Sequence, residues 1–516
     1  MAARSWNKKT AEARIDKKIA NMPLKDIQIK EYVKDTNLSG LGNNTAYRVD
    51  GVHLYADILN LDDMLRVTTV EGETCHKRTL RFLNQHYRAV DRIITRVEAI
   101  FVDFHNQRLH SVVAKPYDGE AKRIHRAIAM GQLIIDVLAQ TTEDADHPAA
   151  KVRIGIDSGE ALAVNNGRRG HREPLFLGVP ANHAAKRASG GTAVGIYLTN
   201  DARKVIGLKT VISEDTTALT AAEIQSSQDE AKLDVTTDEI VKDWKEDLKN
   251  NPIGSFEFSG HTPPFNTLDM DTLSAKNSRR QDAVSMYADL DGFTAYVGDN
   301  ISTDANAKHV VRTLHVLRSE LDAVLHEDFK GRKVRFIGDC VHGLLVEGTA
   351  QTTDAEETVS NVTLCAAAMR SSFKLALDKL KTAGTSVKLG LAIGFEYGPM
   401  TATRLGIKGG LIRCSVSRGV IASEELQCDC NGRQTKIGPE ALDEASDAVK
   451  SLFDANGVAT DLEYDGAVEK MSAKGDRVGR AVKAATSSLL QPTSAAAAPL
   501  SFPNRAAGPA KPGGFA

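Results

Sequence analysis

The stretch Ser285-Met-Tyr-Ala-Asp-Leu-Asp-Gly-Phe-Thr294 has the pattern of a buried β-strand that turns directly into a helix. Its mostly apolar residues predict the strand, and the glycine predicts a tight turn before the helix N-terminus. Asp289 lies near the strand end, so its carboxylate and the free N–H groups of the helix should face one point. A strand that ends in Asp is also compatible with a simple helix cap. The stretch therefore predicts either a cap or a place for a metal ion and phosphates.

A second stretch, Lys333-Val-Arg-Phe-Ile-Gly-Asp-Cys-Val-His-Gly-Leu-Leu345, has the pattern of a β-hairpin. Two apolar runs flank Gly338-Asp339, which is the length of a two-residue turn. The turn would place the Asp339 carboxylate at a strand end. Asp289 and Asp339 could then share two divalent cations, Mg²⁺ or Mn²⁺, which prefer oxygen ligands.

The composition bounds the class of protein. The chain has 516 residues, of which 42% are hydrophobic and 26% charged, so there is room for two globular domains. A formal net charge of −2 argues against a nucleic-acid partner. No apolar run approaches the roughly 20 residues of a membrane span, and the N-terminal residues lack a signal-peptide pattern. We expect a cytoplasmic protein without a membrane span.

The chain contains an internal repeat. Val52-His-Leu-Tyr-Ala-Asp-Ile-Leu59 matches Val284-Ser-Met-Tyr-Ala-Asp-Leu-Asp291 with an offset of 232 residues. Both copies continue with an amphipathic helix, a hairpin, a second helix and a strand. At the hairpin of the first copy the turn is Asn106-Gln107, so Gln107 stands where the second copy has Asp339. The repeat predicts an α+β fold built from two tandem domains.

The predicted segments follow from this repeat and from changes in composition. They are an N-terminal helical extension (1–44), a first domain (45–212), a linker (213–280), a second domain (281–450), a C-terminal extension (451–484) and a disordered tail (485–516). The tail is rich in Ala, Gly, Pro and Ser and has too little apolar content to fold.

The second copy resembles the catalytic domain of class III nucleotidyl cyclases. The resemblance depends on Ala-Asp-Leu-Asp-Gly-Phe-Thr, on Gly338-Asp339 and on Leu391-Ala-Ile-Gly-Phe-Glu-Tyr-Gly398, in that order and spacing. It implies two ferredoxin-like (βαββαβ) domains that form an intramolecular pseudo-dimer, with the active site at their interface. The implied metal ligands are Asp289, the Leu290 backbone carbonyl and Asp339, and the implied phosphate-facing residues are Gly292, Phe293 and Thr294.

The complementary half of the implied site lies in the first copy. Leu175-Phe-Leu-Gly-Val-Pro-Ala-Asn-His-Ala-Ala-Lys-Arg187 resembles the family's helix that carries Asn and, four residues later, Arg. Asn182 matches, but Lys186 stands where Arg is usual and offers one compact charge instead of a planar fork. Both residues are alternatively explained as a solvated helix face. Asp57 with Gln107 lacks a second acid, so the other pseudo-site is expected to be inactive.

Two positions bear on the choice of base. Relatives that use ATP carry Lys and Asp where this chain has Asp103 and Leu175, and replacing a donor by an acceptor disfavours adenine. This departure resembles the pyrimidine cyclases of the bacterial Pycsar antiphage systems. It implies a UTP or CTP substrate, with UTP slightly favoured, and a cUMP or cCMP messenger for a downstream effector protein. A purine is expected to be rejected by its volume and because it would leave the buried Asp103 carboxylate without a hydrogen bond from the base.

Two other interpretations stay open at this point. One is an adenylate or guanylate cyclase in signalling, and the other is a non-catalytic nucleotide sensor in which Gln107 marks a degenerate site. The sequence does not specify the activating trigger or whether chains pair further as a homodimer.

Overall fold

Two mixed β-sheets with helices packed against them make up the described part of the chain. The computed structural model describes residues 4–34, 36–141, 148–167, 174–407 and 410–489. The strands are β1 Gln28–Glu31, β2 Thr45–Ile58, β3 Ile100–His105, β4 Arg108–Val113, β5 Val152–Asn165, β6 Pro174–Leu177, β7 Gly195–Leu198, β8 Phe258–Ser259, β9 Ser278–Asp291, β10 Arg332–Ile337, β11 Cys340–Leu345, β12 Gly390–Leu405, β13 Ile412–Cys414, β14 Gln434–Ile437 and β15 Val458–Thr460. The α-helices are α1 Lys8–Ala20, α2 Leu61–Leu65, α3 Glu73–Arg96, α4 Glu120–Leu138, α5 Val179–Ser189, α6 Asn200–Val205, α7 Ala221–Ala231, α8 Thr237–Asn250, α9 Phe293–Asn300, α10 Asp304–Ala323, α11 Ala355–Thr382, α12 Arg418–Cys428, α13 Pro439–Glu444, α14 Asp447–Lys450, α15 Tyr464–Ala473 and α16 Arg477–Leu489.

The two sheets share one topology. The first runs β3-β4-β2-β5-β6, with β1 paired to β2 and β7 paired to β5. The second runs β10-β11-β9-β12-β14-β15, with β8 paired to β9 and β13 paired to β12. In each sheet the first strand of the βαββαβ unit lies between the third and the fourth, which is the ferredoxin-like order. The prediction of an α+β fold with two tandem ferredoxin-like units is confirmed.

Strand β9 is buried on both faces, which explains its nearly continuous apolar sequence. Its side chains alternate, so that Val284, Met286 and Ala288 enter the main core of the second unit. Ala283 and Tyr287 point to the opposite face, where they join a smaller core. A charged residue on either face would be buried here, and the strand carries none between Ala283 and Ala288.

Both central hairpins have the predicted two-residue turns. His105 pairs with Arg108 across the first turn, and Ile337 pairs with Cys340 across the second. Asn106 and Gly338 hold equivalent positions and both have left-handed backbone angles, with φ of 48° and 60°. Asn and Gly are the residue types that adopt this region at least strain.

The two units exchange parts of their cores. In the second unit, residues at and after the end of β12 pack into the core of the first unit, namely Leu405, Ile412, Cys414 and Val416. In the first unit, residues from β2, β5 and β6 pack into the core of the second, namely Ala46, Leu162, Val164, Leu175 and Leu177. Neither hydrophobic core is complete without the other unit.

The N-terminal segment differs from the predicted helical extension. Helix α1 forms and packs on α10 and α11 of the second unit, where Arg14 reaches Glu320 at 2.7 Å and Asp328 at 2.9 Å. Residues 28–31, expected to be helical, form β1, which pairs in parallel with β2 of the first unit. Backbone pairing with an available sheet edge overrides the local helical preference there. The segment therefore crosses from one unit to the other.

The predicted linker and tail also contain ordered structure. Within 213–280, α8 packs on α3, with the Trp244 indole N–H donating to the Gln85 carbonyl at 3.1 Å, and β8 joins β9. Helix α16 extends to Leu489, so the first residues of the predicted disordered tail are helical; residues 490–516 lie outside the described part. No helix among the described residues has the length and apolar character needed to cross a membrane.

Candidate active site

The strand-to-helix turn of the second unit positions the first group of predicted residues. Asp289 and Leu290 lie at the end of β9, and Phe293 begins α9. Gly292 between them has a φ of 82°, a backbone conformation that glycine adopts without strain. Asp339 comes from the turn of the adjacent β10–β11 hairpin, because β11 pairs directly with β9. The two predicted metal-binding carboxylates therefore come from neighbouring strands.

Negative charge is crowded at this point. Burial and the nearby Asp291 carboxylate raise the pKa of Asp289 to about 6. Burial and the Asp289 carboxylate raise the pKa of Asp339 well above its usual range. Both shifts mean that the two carboxylates resist being ionised together, which a cation between them would reverse.

The oxygen atoms at this point suit a hard divalent cation. Two carboxylates and the Leu290 carbonyl are oxygen ligands, which Mg²⁺ and Mn²⁺ prefer. Within the described ranges no group of three or more His, Cys, Asp or Glu side chains is assembled for a metal. Mg²⁺ commonly uses one or two carboxylates together with water and substrate phosphates, so the residues present fit such an ion.

A cavity of about 190 Å³ lies between the two units and gathers predicted residues from both. From the first unit come Asp103, Leu175 and Asn182, and from the second come Phe293, Thr294 and Asp339. The remaining lining residues are Tyr55, Val102, His105, Arg108, His110, Asn166, Phe176, Leu177, Gly178, Ala181, Ala185, Val297, Ile337 and Gly338.

The hydrogen bond between Asn182 and Thr294 joins the two units inside this site. The Asn182 side-chain amide donates to the Thr294 hydroxyl at 2.8 Å. Asn182 lies on α5 of the first unit, and Thr294 lies in the first turn of α9 of the second. The predicted Asn helix and the predicted phosphate-facing turn are therefore in direct contact.

Lys186 is placed differently from Asn182. It lies one turn further along α5, is exposed, and does not line the cavity. The neighbouring Arg187 points elsewhere, because its guanidinium forms ion pairs with Glu214 and with Asp215, the latter at 2.9 Å. The predicted pair is therefore not brought together in the cavity, because Asn182 lines it and Lys186 does not.

Asp103 has a protein partner that the sequence did not predict. Its carboxylate forms an ion pair with Arg335 of the second unit, and the same guanidinium also donates to the Phe104 carbonyl. Asp103 and Arg335 occupy equivalent positions of the repeat. Sequence reasoning missed Arg335 because the contact exists only when the two units dock.

The cavity wall also contains an aromatic stack that sequence reasoning missed. The rings of Tyr55 and His110 lie 3.9 Å apart and almost parallel, and His53 Nδ1 lies 3.1 Å from His110 Nε2. Burial lowers the pKa of His53 to about 3 and that of His110 well below its usual range, so both imidazoles are neutral. The repeat carries the same stack as Tyr287 and His342, a recurrence that could have flagged the pair.

The equivalent place on the other side of the interface has different chemistry. A wider cavity of about 790 Å³ there is lined by Gln107, by Ile421 where α5 has Asn182, and by Glu425 where α5 has Lys186. Asp57 is buried beside Arg108 at 3.9 Å, and Glu424 accepts from Arg108 at 3.3 Å. The second carboxylate and the Asn-basic pair are both replaced on this side.

The sequence of this chain is similar to those of nucleotide cyclases. Residues 47–232 match the adenylate and guanylate cyclase catalytic domain. A protein of Pseudomonas aeruginosa named uridylate cyclase is 57% identical over 480 residues, spanning 92% of this chain and 93% of that relative. The chain belongs to the class III nucleotidyl cyclase family.

Two further relatives extend this assignment. A uridylate cyclase of a Rhizobium species is 42% identical to this cyclase over 440 residues, which is 81% of the present chain and 83% of the relative. A crystal structure described as a class III adenylyl cyclase-like ATP-binding protein from Pseudomonas aeruginosa superposes with a TM-score of 0.88 at 57% identity. It covers 91% of this cyclase and all of that chain. The protein is therefore a nucleotide cyclase with two cyclase units in one chain.

Proposed function

We propose that this cyclase converts a pyrimidine nucleoside triphosphate, UTP in preference to CTP, to the 3′,5′-cyclic monophosphate and diphosphate. The observation that carries the proposal is the small cavity between the units, which gathers Asn182 and Asp103 from one and Thr294 and Asp339 from the other. Two curated relatives with the name uridylate cyclase support the choice of base. In this proposal the two units act as the halves of an intramolecular pseudo-dimer.

Asp289, the Leu290 carbonyl and Asp339 would hold the Mg²⁺ or Mn²⁺ ions. Ions bound there would supply Lewis-acid activation of the ribose 3′-hydroxyl and neutralise charge on the triphosphate. The ribose 3′-oxygen bonds to the α-phosphorus while the bond to the bridging oxygen breaks, so diphosphate leaves and the hydroxyl proton passes to solvent. The chain needs no nucleophile of its own for this reaction.

The remaining site residues would orient the nucleotide. The backbone N–H groups of Gly292, Phe293 and Thr294 at the start of α9 suit the terminal phosphates, because a helix N-terminus favours anions. Asn182, which already donates to Thr294, would turn its amide toward the ribose and α-phosphate. Lys186 would swing in to meet the charge that develops on the α-phosphate.

The base would lie against the Tyr55–His110 stack beside Asp103. Arg335 pairs with one carboxylate oxygen of Asp103, and the carboxylate can accept a hydrogen bond from N3–H of uracil. Leu175 supplies an apolar wall where ATP-using relatives have Asp. Two rings of a purine demand more volume between Leu175 and the stack than one ring of a pyrimidine does.

The direct test is product analysis with competing nucleotides. Purified protein is incubated with Mn²⁺ and equimolar UTP, CTP, ATP and GTP, and the cyclic products are measured by mass spectrometry. We expect cUMP as the main product and cCMP as the second. Cyclic AMP as the main product would refute the pyrimidine assignment.

An ATP-using enzyme is the second candidate, because the crystal structure with a TM-score of 0.88 is described as an ATP-binding protein. Binding and turnover can be separated in one experiment. Isothermal titration with ATP in Ca²⁺ measures binding, and the product assay measures conversion. Tight ATP binding with little cAMP would leave UTP as the substrate, whereas efficient cAMP formation would favour this candidate.

The cyclic product would act as a second messenger in antiphage defence of the Pycsar type and would be detected by a separate effector protein. Bacteria that express the cyclase together with an effector protein that binds the cyclic nucleotide are challenged with phage. We expect protection with the wild-type chain and none with Asp289→Ala. Equal protection by the two chains would exclude this biological role while leaving the enzymatic proposal intact.

A further inference from the structure

Two equivalent arginines cross the interface in opposite directions. Arg48 and Arg280 occupy the same position of the repeat, on β2 and β9. The side chain of Arg48 reaches from the first unit to the segment between α9 and α10 of the second. The side chain of Arg280 reaches from the second unit to the segment between α2 and α3 of the first and to the start of α3. Each arginine therefore contacts a helix-connecting segment that lies shortly after the first βαββαβ strand of the opposite unit.

Arg48 is almost completely enclosed by its partners. Its side chain is 8% exposed, donates to the Ile301 carbonyl at the C-terminus of α9, and pairs with Asp304 at 2.9 Å. Glu160 accepts from the same guanidinium at 2.9 Å. A cation at a helix C-terminus also interacts favourably with the helix dipole.

Helix α9 is consequently held by the first unit along its whole length. At its N-terminus Thr294 accepts from Asn182 at 2.8 Å, and at its C-terminus Ile301 accepts from Arg48. Between them Gly298 packs so closely on Val179 that a Cβ at Gly298 would lie 3.1 Å from that side chain. Loss of the Arg48 contact at the C-terminus of α9 is therefore expected to shift the N-terminus of the same helix, which faces the cavity.

We propose that Arg48 is a positioning residue for cyclisation, which sets the placement of the α9 N-terminus relative to Asn182. The inference builds on the proposed function only in assuming that this cavity is where the nucleotide reacts. Because Arg48 does not line the cavity, its effect reaches the reaction through α9. Small misplacements of reacting groups lower turnover much more than they lower binding.

The chain supplies a matched control in Arg280. Its guanidinium donates to the Glu71 carbonyl at 2.9 Å and to His76 Nδ1 at 3.0 Å, on the side of the interface that lacks the second carboxylate. Arg280 thus makes an interdomain contact of the same kind without holding α9. Replacing either arginine by Met removes one such contact and keeps most of the side-chain volume.

The test compares the steady-state kinetics of Arg48→Met and Arg280→Met, using whichever cyclic nucleotide the wild type forms. We expect Arg48→Met to lower kcat by about tenfold or more with KM changed by less than about threefold. Arg280→Met should keep kcat within about twofold of wild type. Arg48→Lys should recover part of the loss, because a lysine keeps the charge but lacks the planar fork that contacts Ile301, Asp304 and Glu160 together.

Hydrogen exchange supplies a readout that does not depend on activity. Amides of 293–301 should exchange faster in Arg48→Met, and amides of 61–71 should exchange faster in Arg280→Met.

If Arg48→Met does not fold, Asp304→Asn weakens the same contact at an exposed partner. This variant should show a smaller decrease in kcat and a smaller increase in the exchange rates of 293–301. Wild-type kcat in the Arg48 variants, or an equal loss in Arg280→Met, would overturn the proposal. If the wild type forms purine cyclic nucleotides or no cyclic product, the proposed function is contradicted. The exchange rates of residues 293–301 then still show whether Arg48 holds α9 in place.

Discussion

Asp289 and Asp339 are the proposed metal ligands, and their proximity disfavours ionisation of both carboxyl groups. Each has a raised pKa because it is buried and because another carboxylate lies close. A carboxyl group whose pKa is raised on folding binds more protons in the folded than in the unfolded state between the two pKa values. The metal-free protein should therefore lose stability as the pH rises from about 4 through 6, the window given by the Asp289 shift.

Asp339→Asn is expected to stabilise the metal-free protein at pH 7, by about 1–2 kcal/mol, because it removes one of the two repelling charges. The gain should shrink toward about pH 4, where the carboxylates are protonated. Addition of Mn²⁺ should raise the Tm of the wild type more than that of the variant. Thermal melts with and without Mn²⁺ measure both effects, and Asp299→Asn on the exposed side of α9 is the matched control. A variant less stable than wild type at pH 7 would contradict this assignment.

Asn182→Ala is expected to lower kcat strongly, by about 2–4 kcal/mol of transition-state stabilisation, because it removes a donor close to the reacting phosphate. Asp57→Asn should change kcat little, since Asp57 lies on the side where Gln107 replaces the second acid. Product formation by the two variants at saturating nucleotide checks the ranking. The opposite ranking would mean that the active side has been assigned to the wrong pair of elements.

Sequence patterns were informative for residues whose role depends on local order and spacing. Asp339 follows from a turn between two apolar runs, and Asn182 follows from the resemblance of residues 175–187 to the family's Asn-bearing helix, so both could be proposed before the units were docked. Arg335 and Arg48 could not, because their partners lie in the other unit and become neighbours only through docking. The pairing of Asp103 with Arg335 could not be predicted for the same reason.

Among the secondary-structure elements, helix α1 shows how a short N-terminal segment is held on the second unit. Arg14 pairs with Glu320, whose side chain is 1% exposed, and Lys18 and Ser372 also contact this carboxylate. The Trp6 backbone N–H donates to the Tyr464 hydroxyl at 3.1 Å. The helical preference of α1 was visible in the sequence, whereas β1 was not, because a strand of four residues depends on the sheet edge it joins.

Arg14→Ala is expected to destabilise the protein by about 2–4 kcal/mol, because it leaves the buried Glu320 with fewer compensating charges. Lys9→Ala, on the exposed side of the same helix, should change stability by less than about 0.5 kcal/mol. Denaturant unfolding of both variants measures the difference. Equal stability of the two variants would show that α1 docks without needing the Arg14 contacts.

For the whole molecule, the exchange of core residues makes the two units interdependent. Leu405, Ile412 and Val416 fill the core of the first unit, although they come from the second half of the sequence. The predicted domain boundaries assign these three residues to the second domain, although they complete the core of the first unit. Sequence periodicity reports that a residue is buried but not which unit buries it.

A chain of residues 1–280 should therefore not unfold cooperatively when it is expressed alone, since these buried contacts are missing and each large apolar truncation costs about 2–5 kcal/mol. Co-expression with residues 281–516 should restore a single cooperative transition. Circular dichroism melts of the two preparations test this expectation. A sharp transition in the isolated first half would show that its core is sufficient without the exchanged residues.

The position of α1 has a consequence for synthesis of the chain. Its docking surface on α10 and α11 ends at Thr382, some 360 residues after α1 itself. At about 5–20 residues per second, the ribosome needs roughly 20–70 s to deliver that surface. During this interval Trp6, Ala11 and Ile15 have no partner and form an apolar face that a chaperone can hold. Residues that are synthesised long before their docking surface are therefore among the last to be packed.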